Sequence, residues 1–159
     1  MTSYEISVRI PAPAEKVFPF LITPEYAEWE ALNEGAVSAK ARIEKQDTDK
    51  IVLVIDRTDH SRGAKGKITS KTERNVVTQK WDLAAMRNSW SVRVPGMELL
   101  VDIKGSMWVE AQGGACVICE KGSAHIKVPL IGRIVEKGIV DDIRKNFLLK
   151  NKFFQEKLG

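Results

Sequence analysis

The feature that most constrains this chain is its C-terminal stretch, from Ile131 to Leu158. Its apolar residues recur at steps of three and four, the spacing that places them along one face of an α-helix. These apolar positions are Ile131, Ile134, Val135, Ile139, Ile143, Phe147, Phe154 and Leu158. At about 1.5 Å per residue, the predicted helix is about 40 Å long. Because the preceding sequence favours strands, we expect its apolar stripe to pack on a curved sheet.

The opposite face of this predicted helix is charged. Its charged positions are Arg133, Lys137, Asp141, Arg144, Lys145, Lys152 and Glu156. Residues 131–159 hold seven Lys and Arg against four Asp and Glu, which contributes +3 to a chain of net charge +4. Such a face attracts acidic headgroups or nucleic acid, although an ordinary solvated helix surface accounts for it as well. No aromatic-basic pattern of the RNA-recognition type is present, so we expect no nucleic-acid partner.

Length and composition are those of one globular domain spanning residues 1–159. Apolar residues make up 43% and charged residues 29% of the chain, which is ordinary for a folded domain. No apolar run approaches the ~20 residues that span a bilayer, and the first residues do not form a basic segment followed by an apolar one. We therefore expect no transmembrane segment and a cytoplasmic location.

The N-terminal part predicts one strand followed by two short helices. Tyr4–Ile10 alternates apolar and polar residues, as a half-buried strand does. Pro13 suits the start of a helix, and Glu15 follows in its first turn, where the helix dipole favours an acid. A second helix start follows, with Thr23 as the N-cap and Pro24 at the first helical position.

Residues 36–128 predict about six strands. We expect a weaker strand over Lys65–Lys71, a tight connection at Glu73–Asn75 and a turn at Gln112–Gly114. Residues 84–97 are ambiguous, although their alternation hints at a further strand. Consecutive hairpins imply an antiparallel sheet with the helices collected on one side, which is the α+β class.

Three segments carry a resemblance to a known superfamily. They are Ile10–Phe18, Thr23–Tyr26 with Trp29, and Val128–Gly132 with Glu136. Together with the element order, they resemble the START-like, or helix-grip, superfamily (SRPBCC), which includes birch-pollen-type allergens, polyketide cyclase-like proteins and lipid-transfer domains. The last segment is similar to the close of an uncharacterised bacterial branch.

The resemblance implies a helix-grip fold over the single START-like domain 1–159. In that fold a curved antiparallel sheet of six to seven strands surrounds the long C-terminal helix, and two short helices separate the first and second strands. The resemblance also implies a cavity between the sheet and the helix that takes an apolar ligand.

We predict that this cavity is lined by the inward faces of the strands and by the helix stripe. The candidate residues are Leu53, Ile55, Gln79, Trp81, Val101, Ile103, Met107, Ile139, Ile143 and Phe147. Ordinary core packing is the alternative for each of them. Gln79 is the polar candidate for orienting a ligand headgroup. Gly138 interrupts the helix stripe and either opens room for a ligand, lets a strand approach, or is simply tolerated.

No group of residues predicts catalysis or metal binding. Asp59–Ser61 contains the residue types of a triad, but neighbours on an extended segment point apart. Cys116 and Cys119 are three apart on a predicted strand and face opposite sides, and zinc would need two further ligands. Gly63–Lys67 lacks the spacing and the Ser or Thr of a phosphate-binding loop. We predict inert thiols, no catalytic residue, no metal and no cofactor.

The leading functional hypothesis is a non-catalytic carrier of a small hydrophobic molecule, such as a lipid, an isoprenoid or a polyketide. The second is a cyclase or aromatase that uses the same cavity. It requires acids or a histidine inside the cavity, and the predicted strand phases place almost none there. A shift of one residue would reverse this for Asp102 and Lys104. The third is an interaction module for a protein or membrane surface, using the basic helix face.

Overall fold

Seven strands and four helices follow one another in the computed structural model, which describes all residues, 1–159. The elements are β1 (Thr2–Ile10), α1 (Ala14–Leu21), α2 (Pro24–Asn33), β2 (Ser38–Gln46), β3 (Lys50–Arg62), β4 (Ile68–Asp82), β5 (Arg87–Arg93), β6 (Val101–Gln112), β7 (Ala115–Ile126), α3 (Gly132–Phe147) and α4 (Leu149–Leu158). The ambiguous stretch 84–97 therefore contains a strand, β5.

The strands form one antiparallel sheet in the order β1-β7-β6-β5-β4-β3-β2. Strands β2 to β7 are joined by consecutive hairpins, and β1 pairs with β7, so the first and last strands are neighbours. Helices α1 and α2 connect β1 to β2 at the opposite edge of the sheet. The predicted α+β helix-grip fold is confirmed.

The two short helices begin as the sequence predicts. The hydroxyl of Thr23 accepts a hydrogen bond from the backbone N–H of Tyr26 at 3.2 Å, and Pro24 occupies the first turn of α2. This cap satisfies one of the backbone donors that every helix leaves unpaired at its start. The Thr23 cap therefore defines Pro24 as the first residue of α2.

The hairpin of β3 and β4 is longer than predicted. The tight connection expected at Glu73–Asn75 is wrong, because these residues lie within β4 and pair with Arg57–Asp59. The polar side chains that resemble a turn bond across the strands instead, and the amide of Asn75 donates to Asp59 at 2.8 Å. The actual connection lies at 63–67, beyond β3.

The C-terminal helix has a break at Leu148 and is two segments, not the single helix predicted over Ile131–Leu158. Leu148 has φ −68° and ψ −17°, which is tighter than α-helical geometry. The break lets the two segments pack on different partners: α3 lies along β1 and β7, whereas α4 carries Phe153 and Phe154 onto α1 and α2. None of the four helices combines the length and apolar character needed to cross a membrane.

A cluster rich in aromatic side chains fills the end of the sheet that α1, α2 and α4 cover. The rings of Phe18 and Trp81 meet edge to face with centroids 5.6 Å apart, and those of Tyr26 and Phe153 do so at 4.9 Å. Phe154 is buried beside them. This end of the interior is closely packed and carries much of the apolar burial that stabilises the fold.

Helix α3 is attached to the sheet by the buried carboxylate of Glu136. It accepts hydrogen bonds from the hydroxyl of Thr2 at 2.9 Å and from the backbone N–H of Ile126 at 2.8 Å. Although burial opposes its ionisation, these bonds and the nearby terminal amine keep the pKa of Glu136 below its usual range. The carboxylate therefore joins β1, β7 and α3 at one point.

Candidate functional site

A cavity of about 460 Å³ lies between α3 and the concave face of the sheet, beside the aromatic cluster. Of its 32 lining residues, 18 are hydrophobic, and the volume is within the range typical of small-molecule sites. Val135, Ile139 and Ile143 of α3 form one wall. The inward side chains of β3 to β7 form the floor.

The structure divides the predicted cavity residues into two groups. Seven of them line the cavity: Ile55, Gln79, Val101, Ile103, Met107, Ile139 and Ile143. The other three, Leu53, Trp81 and Phe147, belong only to the closely packed cluster, to which Ile55 and Met107 of the cavity wall also belong. Strand alternation predicts which face of the sheet a residue occupies, but it does not predict which end of that face the short helices cover.

Two paired glycines lie beneath Tyr4 and Trp90, two of the side chains that line the cavity. Gly105 of β6 lies opposite Gly122 of β7, with Trp90 and Tyr4 as the next residues in the same row. A Cβ at Gly105 would lie 2.7 Å from Cζ2 of Trp90, and a Cβ at Gly122 would lie 2.7 Å from the hydroxyl oxygen of Tyr4. Glycine is required at both positions because the two aromatic side chains lie directly over the backbone.

The hydroxyl of Tyr4 donates a hydrogen bond to the carboxylate of Glu120 at 2.8 Å, and both residues line the cavity. Burial is the largest effect on Glu120 and, together with Glu30 and Glu34, raises its pKa to about 7, although Lys150 and the Tyr4 hydroxyl act in the opposite direction. Glu120 can therefore both give and take a proton near neutral pH.

Two hydrogen-bond donors on the cavity floor have no partner in the protein. Asn88 is only 3% exposed, and its amide oxygen accepts from the backbone N–H of Met107 at 2.9 Å. This bond fixes the amide orientation and leaves the Asn88 NH₂ unpaired. The indole N–H of Trp90 is also buried and unpaired. Buried donors without partners are uncommon in folded proteins.

A group of charged residues closes the cavity towards β3 and α2. The guanidinium of Arg57 donates to Glu34 at 2.8 Å and, through two bonds of 2.8 Å, to Asp59. Burial works against the charge on Arg57, but the two carboxylates outweigh it and raise its pKa. Burial and Glu30 raise the pKa of Glu34 in spite of Arg57.

A second buried ion pair connects the cavity to the aromatic cluster. The ammonium of Lys150, a residue of α4, bonds to Glu30 of α2, and the hydroxyl of Tyr26 donates to Glu30 at 2.6 Å. Burial disfavours both charges, yet the pairing raises the pKa of Lys150 and lowers that of Glu30. Lys150 falls outside the charged face of the predicted single helix, because it lies three residues after Phe147 and four before Phe154, on the same face as these apolar residues.

The expectation of almost no acids inside the cavity is wrong. Six carboxyl groups line it, against two guanidinium groups. The acids are Glu30, Glu34, Asp59, Glu73, Glu120 and Asp142. Glu120 was detectable from the sequence, because it shares the even-numbered inward face of β7 with Ala124 and Ile126. Asp59 and Glu73 could not be assigned to the cavity from the sequence, because the sequence predicts a tight connection at Glu73. Asp102 and Lys104 lie on the outer face and form an exposed ion pair, with 3.6 Å between Nζ and Oδ2.

The turn of the β3–β4 hairpin closes the far side of the cavity by contacting α3. Arg62 donates to the carbonyl oxygen of Gly66 at 2.5 Å and bonds to Asp142 of α3. Gly138 lies directly against this contact, since a Cβ there would be 2.6 Å from the Gly66 oxygen and 2.8 Å from the guanidinium. Of the three roles weighed for Gly138, the structure supports close approach of the hairpin.

The remaining sequence candidates do not converge. Asp59 bonds to Arg57 and Asn75, and Ser61 is bonded to Thr69 and the backbone of Lys71, so Asp59–Ser61 forms no triad. Cys116 and Cys119 are both buried and free, and burial raises the pKa of each thiol. No three His, Cys, Asp or Glu side chains are arranged to hold a metal ion.

Comparison with known proteins places the chain among START-like folds. The sequence pattern of the family described as "Protein of unknown function (DUF2505)" matches residues 5–158, whereas no curated protein matches. Among solved structures, a START superfamily protein from Mycobacterium smegmatis has a TM-score of 0.59 at 12% identity, covering 96% of this chain and 98% of that one.

Two enzymes have the same fold. The Zhui aromatase/cyclase from Streptomyces sp. R1128 has a TM-score of 0.60 at 11% identity, over 95% of this chain and 89% of its own. Norcoclaurine synthase from Thalictrum flavum, in complex with dopamine and hydroxybenzaldehyde, has a TM-score of 0.62 at 14% identity, over 99% of this chain and 88% of its own. At these identities the likeness shows the fold alone.

Proposed function

The chain belongs to the family described as "Protein of unknown function (DUF2505)", and we propose its function from the site itself. The cavity binds a small molecule with an apolar body. The observation that carries this proposal is an open cavity of about 460 Å³ between α3 and the sheet, lined mostly by hydrophobic side chains. The START-like fold, which the aromatase/cyclase and norcoclaurine synthase share, supports it. Lipids, isoprenoids and aromatic polyketides are the candidate classes.

The energetics of such binding are favourable at modest affinity. A ligand of about 20 non-hydrogen atoms, at roughly −0.3 kcal/mol for each atom, binds with about −6 kcal/mol. This corresponds to a dissociation constant of some tens of micromolar.

Native mass spectrometry of the protein purified from its own cells tests the proposal. We expect an added mass that disappears on denaturation. An Ile139→Trp variant fills the cavity and loses the added mass, whereas Ile134→Trp, on the exposed side of the same helix, retains it. Circular dichroism of both variants checks that they fold. If the protein carries no added mass and also binds nothing from a panel of lipids, isoprenoids and aromatic ketones, the proposal is overturned.

A second candidate function is proton transfer on a bound ligand. The observation that favours it is the Tyr4–Glu120 pair inside the cavity, whose carboxyl has a pKa of about 7. A carboxylate at this position takes a proton from the carbon next to a carbonyl group and returns it to another position, as cyclisation of a reactive chain requires.

Deuterium exchange tests this second candidate without knowledge of the natural substrate. Methyl naphthyl ketone is incubated with the protein in D₂O, and loss of its methyl proton signal is followed by NMR. Catalysed exchange that Glu120→Gln abolishes supports proton transfer. Exchange at the rate of the buffer alone, for a ketone that equilibrium dialysis shows to be bound, argues for binding without catalysis.

A further inference from the structure

Four polar groups, a hydroxyl, an amide, an indole N–H and a carboxyl, lie on neighbouring strands at the floor of the cavity. Gly105 and Gly122 are paired on neighbouring strands, which are about 4.8 Å apart. The Tyr4 hydroxyl lies over Gly122. The Cζ2 atom of Trp90 lies over Gly105, and this atom is two bonds from the indole nitrogen. Asn88 is two residues from Trp90 on β5, on the same face. These groups form the polar floor: Tyr4, Asn88, Trp90 and Glu120.

The polar floor is incomplete within the protein. Tyr4 and Glu120 satisfy each other in part, but the Asn88 NH₂ and the Trp90 N–H have no acceptor. Neither donor has surface open to the cavity, so a ligand oxygen reaches them only when the Asn88 and Trp90 side chains shift towards it. Leaving a buried donor unpaired costs about 1–3 kcal/mol each. An acceptor brought by a ligand removes that cost. The ligand atom that complements this floor is therefore an oxygen that accepts from Asn88 and Trp90.

The charges around the cavity decide whether that oxygen is charged. Six carboxyl groups line the cavity, and its two guanidinium groups are already engaged, Arg57 with Glu34 and Asp59 and Arg62 with Asp142. No unpaired cation remains to neutralise a ligand carboxylate. An anion would enter a region of like charge, where desolvation and repulsion both oppose it.

We propose that the polar floor is a binding subsite for an uncharged oxygen, a carbonyl or hydroxyl group, on the apolar ligand of the cavity. Asn88 and Trp90 donate to this oxygen, and Glu120, held by Tyr4, faces the same group. This inference rests on the proposed binding function and defines the ligand class further. The ligand is a neutral ketone or alcohol with an apolar body, and a free fatty acid is disfavoured.

Three naphthalene derivatives of nearly equal size test the subsite: methyl naphthyl ketone, isopropylnaphthalene and naphthoate. They carry a neutral acceptor, no acceptor and a charged acceptor, respectively. Equilibrium dialysis at pH 8 measures the affinity of each. We expect the ketone to bind about tenfold more tightly than the hydrocarbon, because each hydrogen bond contributes a factor of about 2 to 12. Naphthoate binds more weakly than either.

Two variants assign the preference to the named donors. Trp90→Phe removes the indole N–H and keeps an aromatic ring, whereas Asn88→Asp keeps the acceptor for the Met107 N–H and removes the NH₂ donor. Each lowers the affinity for the ketone about three- to tenfold more than it lowers the affinity for isopropylnaphthalene, which makes no hydrogen bond. Trp108→Phe is the matched control, because the N–H of Trp108 donates to Glu110 outside the cavity.

The outcomes separate this inference from the proposed function. Equal binding of ketone and hydrocarbon, unaffected by Trp90→Phe and Asn88→Asp, overturns the subsite and leaves the apolar cavity as the binding site. Tighter binding of naphthoate than of the ketone also overturns the subsite. If none of the three probes binds, both the subsite and the cavity proposal fail for ligands of this size.

Discussion

Gly138 of α3 and Gly66 of the β3–β4 turn approach each other so closely that neither position has room for a side chain. A Cβ on Gly138 would lie 2.6 Å from the carbonyl oxygen of Gly66, and a Cβ on Gly66 would lie 2.7 Å from the carbonyl oxygen of Ile134. Gly66 also has φ +75°, which favours glycine. The contact between the two residues seals the hairpin against the helix.

Gly138→Ala therefore destabilises the protein, although alanine is the better helix former by about 1 kcal/mol. The added methyl group meets backbone, so the hairpin has to move, and overpacking of this kind costs about 1–3 kcal/mol. Urea unfolding followed by circular dichroism measures the free energy of unfolding. Gly114→Ala is the control, because no atom lies within 4 Å of a Cβ there. Equal stability of the Gly138→Ala variant and the wild type would contradict the contact.

Lys150→Met lowers the free energy of unfolding by about 3–5 kcal/mol, because it leaves the Glu30 carboxylate buried without its counter-ion. Adding Glu30→Gln to the same protein recovers part of the loss, since the buried charge is then removed as well. Chemical denaturation of the wild type, the two single variants and the double variant gives the coupling between the residues. Arg42→Met is the control, because its pair with Glu44 is exposed.

The same pair gives the stability a defined pH dependence. The pKa of Glu30 is lowered in the folded state, so its contribution is present above the ordinary carboxyl pKa and is lost as the pH falls through the folded-state value. The pKa of Lys150 is raised, so its contribution is complete below the ordinary lysine pKa and is lost at higher pH, through its own folded-state value. In Lys150→Met, the loss of stability at high pH is smaller than in the wild type.

Glu120→Gln stabilises the protein at pH 8 and has little effect near pH 4. Burial raises the pKa of Glu120 from 4.5 to about 7, so the wild type loses stability as the pH rises from about 4.5 to 7 and the loss is constant above that. A shift of this size corresponds to about 3 kcal/mol. Glutamine still accepts from the Tyr4 hydroxyl. Denaturation at both pH values measures the effect, and Glu156→Gln, an exposed residue of α4, should change neither value.

The thiols of Cys116 and Cys119 react slowly with a thiol reagent in the native protein and rapidly in urea. Both residues are buried, and burial raises the pKa of each, which lowers the fraction of reactive thiolate. The native rate should be about a hundredfold slower than the denatured rate, because access requires local opening. An Ala64→Cys variant, exposed in the β3–β4 turn, provides a thiol that reacts in the native state. Native labelling of the wild type at the rate of that thiol would contradict the packing.

The order of the elements could be predicted from local patterns alone. The alternation over Tyr4–Ile10, the cap at Thr23 with Pro24, and the turn at Gln112–Gly114 each act within a few residues, and the structure contains all of them. Their sequence along the chain also predicts the hairpin sheet. Short-range preferences therefore specify most of this fold.

The polar part of the cavity could not be predicted in the same way. Glu73 lies opposite Asp59 because β3 and β4 pair along their whole length. A run of polar residues by itself predicts a turn, and only the pairing with the neighbouring strand shows that it is part of β4. No proline or glycine marks the break of the helix at Leu148, and the buried partner of Lys150, Glu30, lies 120 residues earlier in the chain. The division between filled core and open cavity depends on where three helices lie over the sheet.

Because β1 pairs with β7, the first strand of this sheet has to wait for the last strand to be synthesised before it can pair. Thr2 is made well before its partner Ala124, which follows only after five other strands. The aromatic cluster closes later still, when Phe153 and Phe154 become available. Pairing across such sequence distances is slow to form, and β1 offers an unpaired edge to other chains until then. The sheet of this domain is therefore completed only after β7 has been made, and until then β1 has to be kept from pairing with other chains.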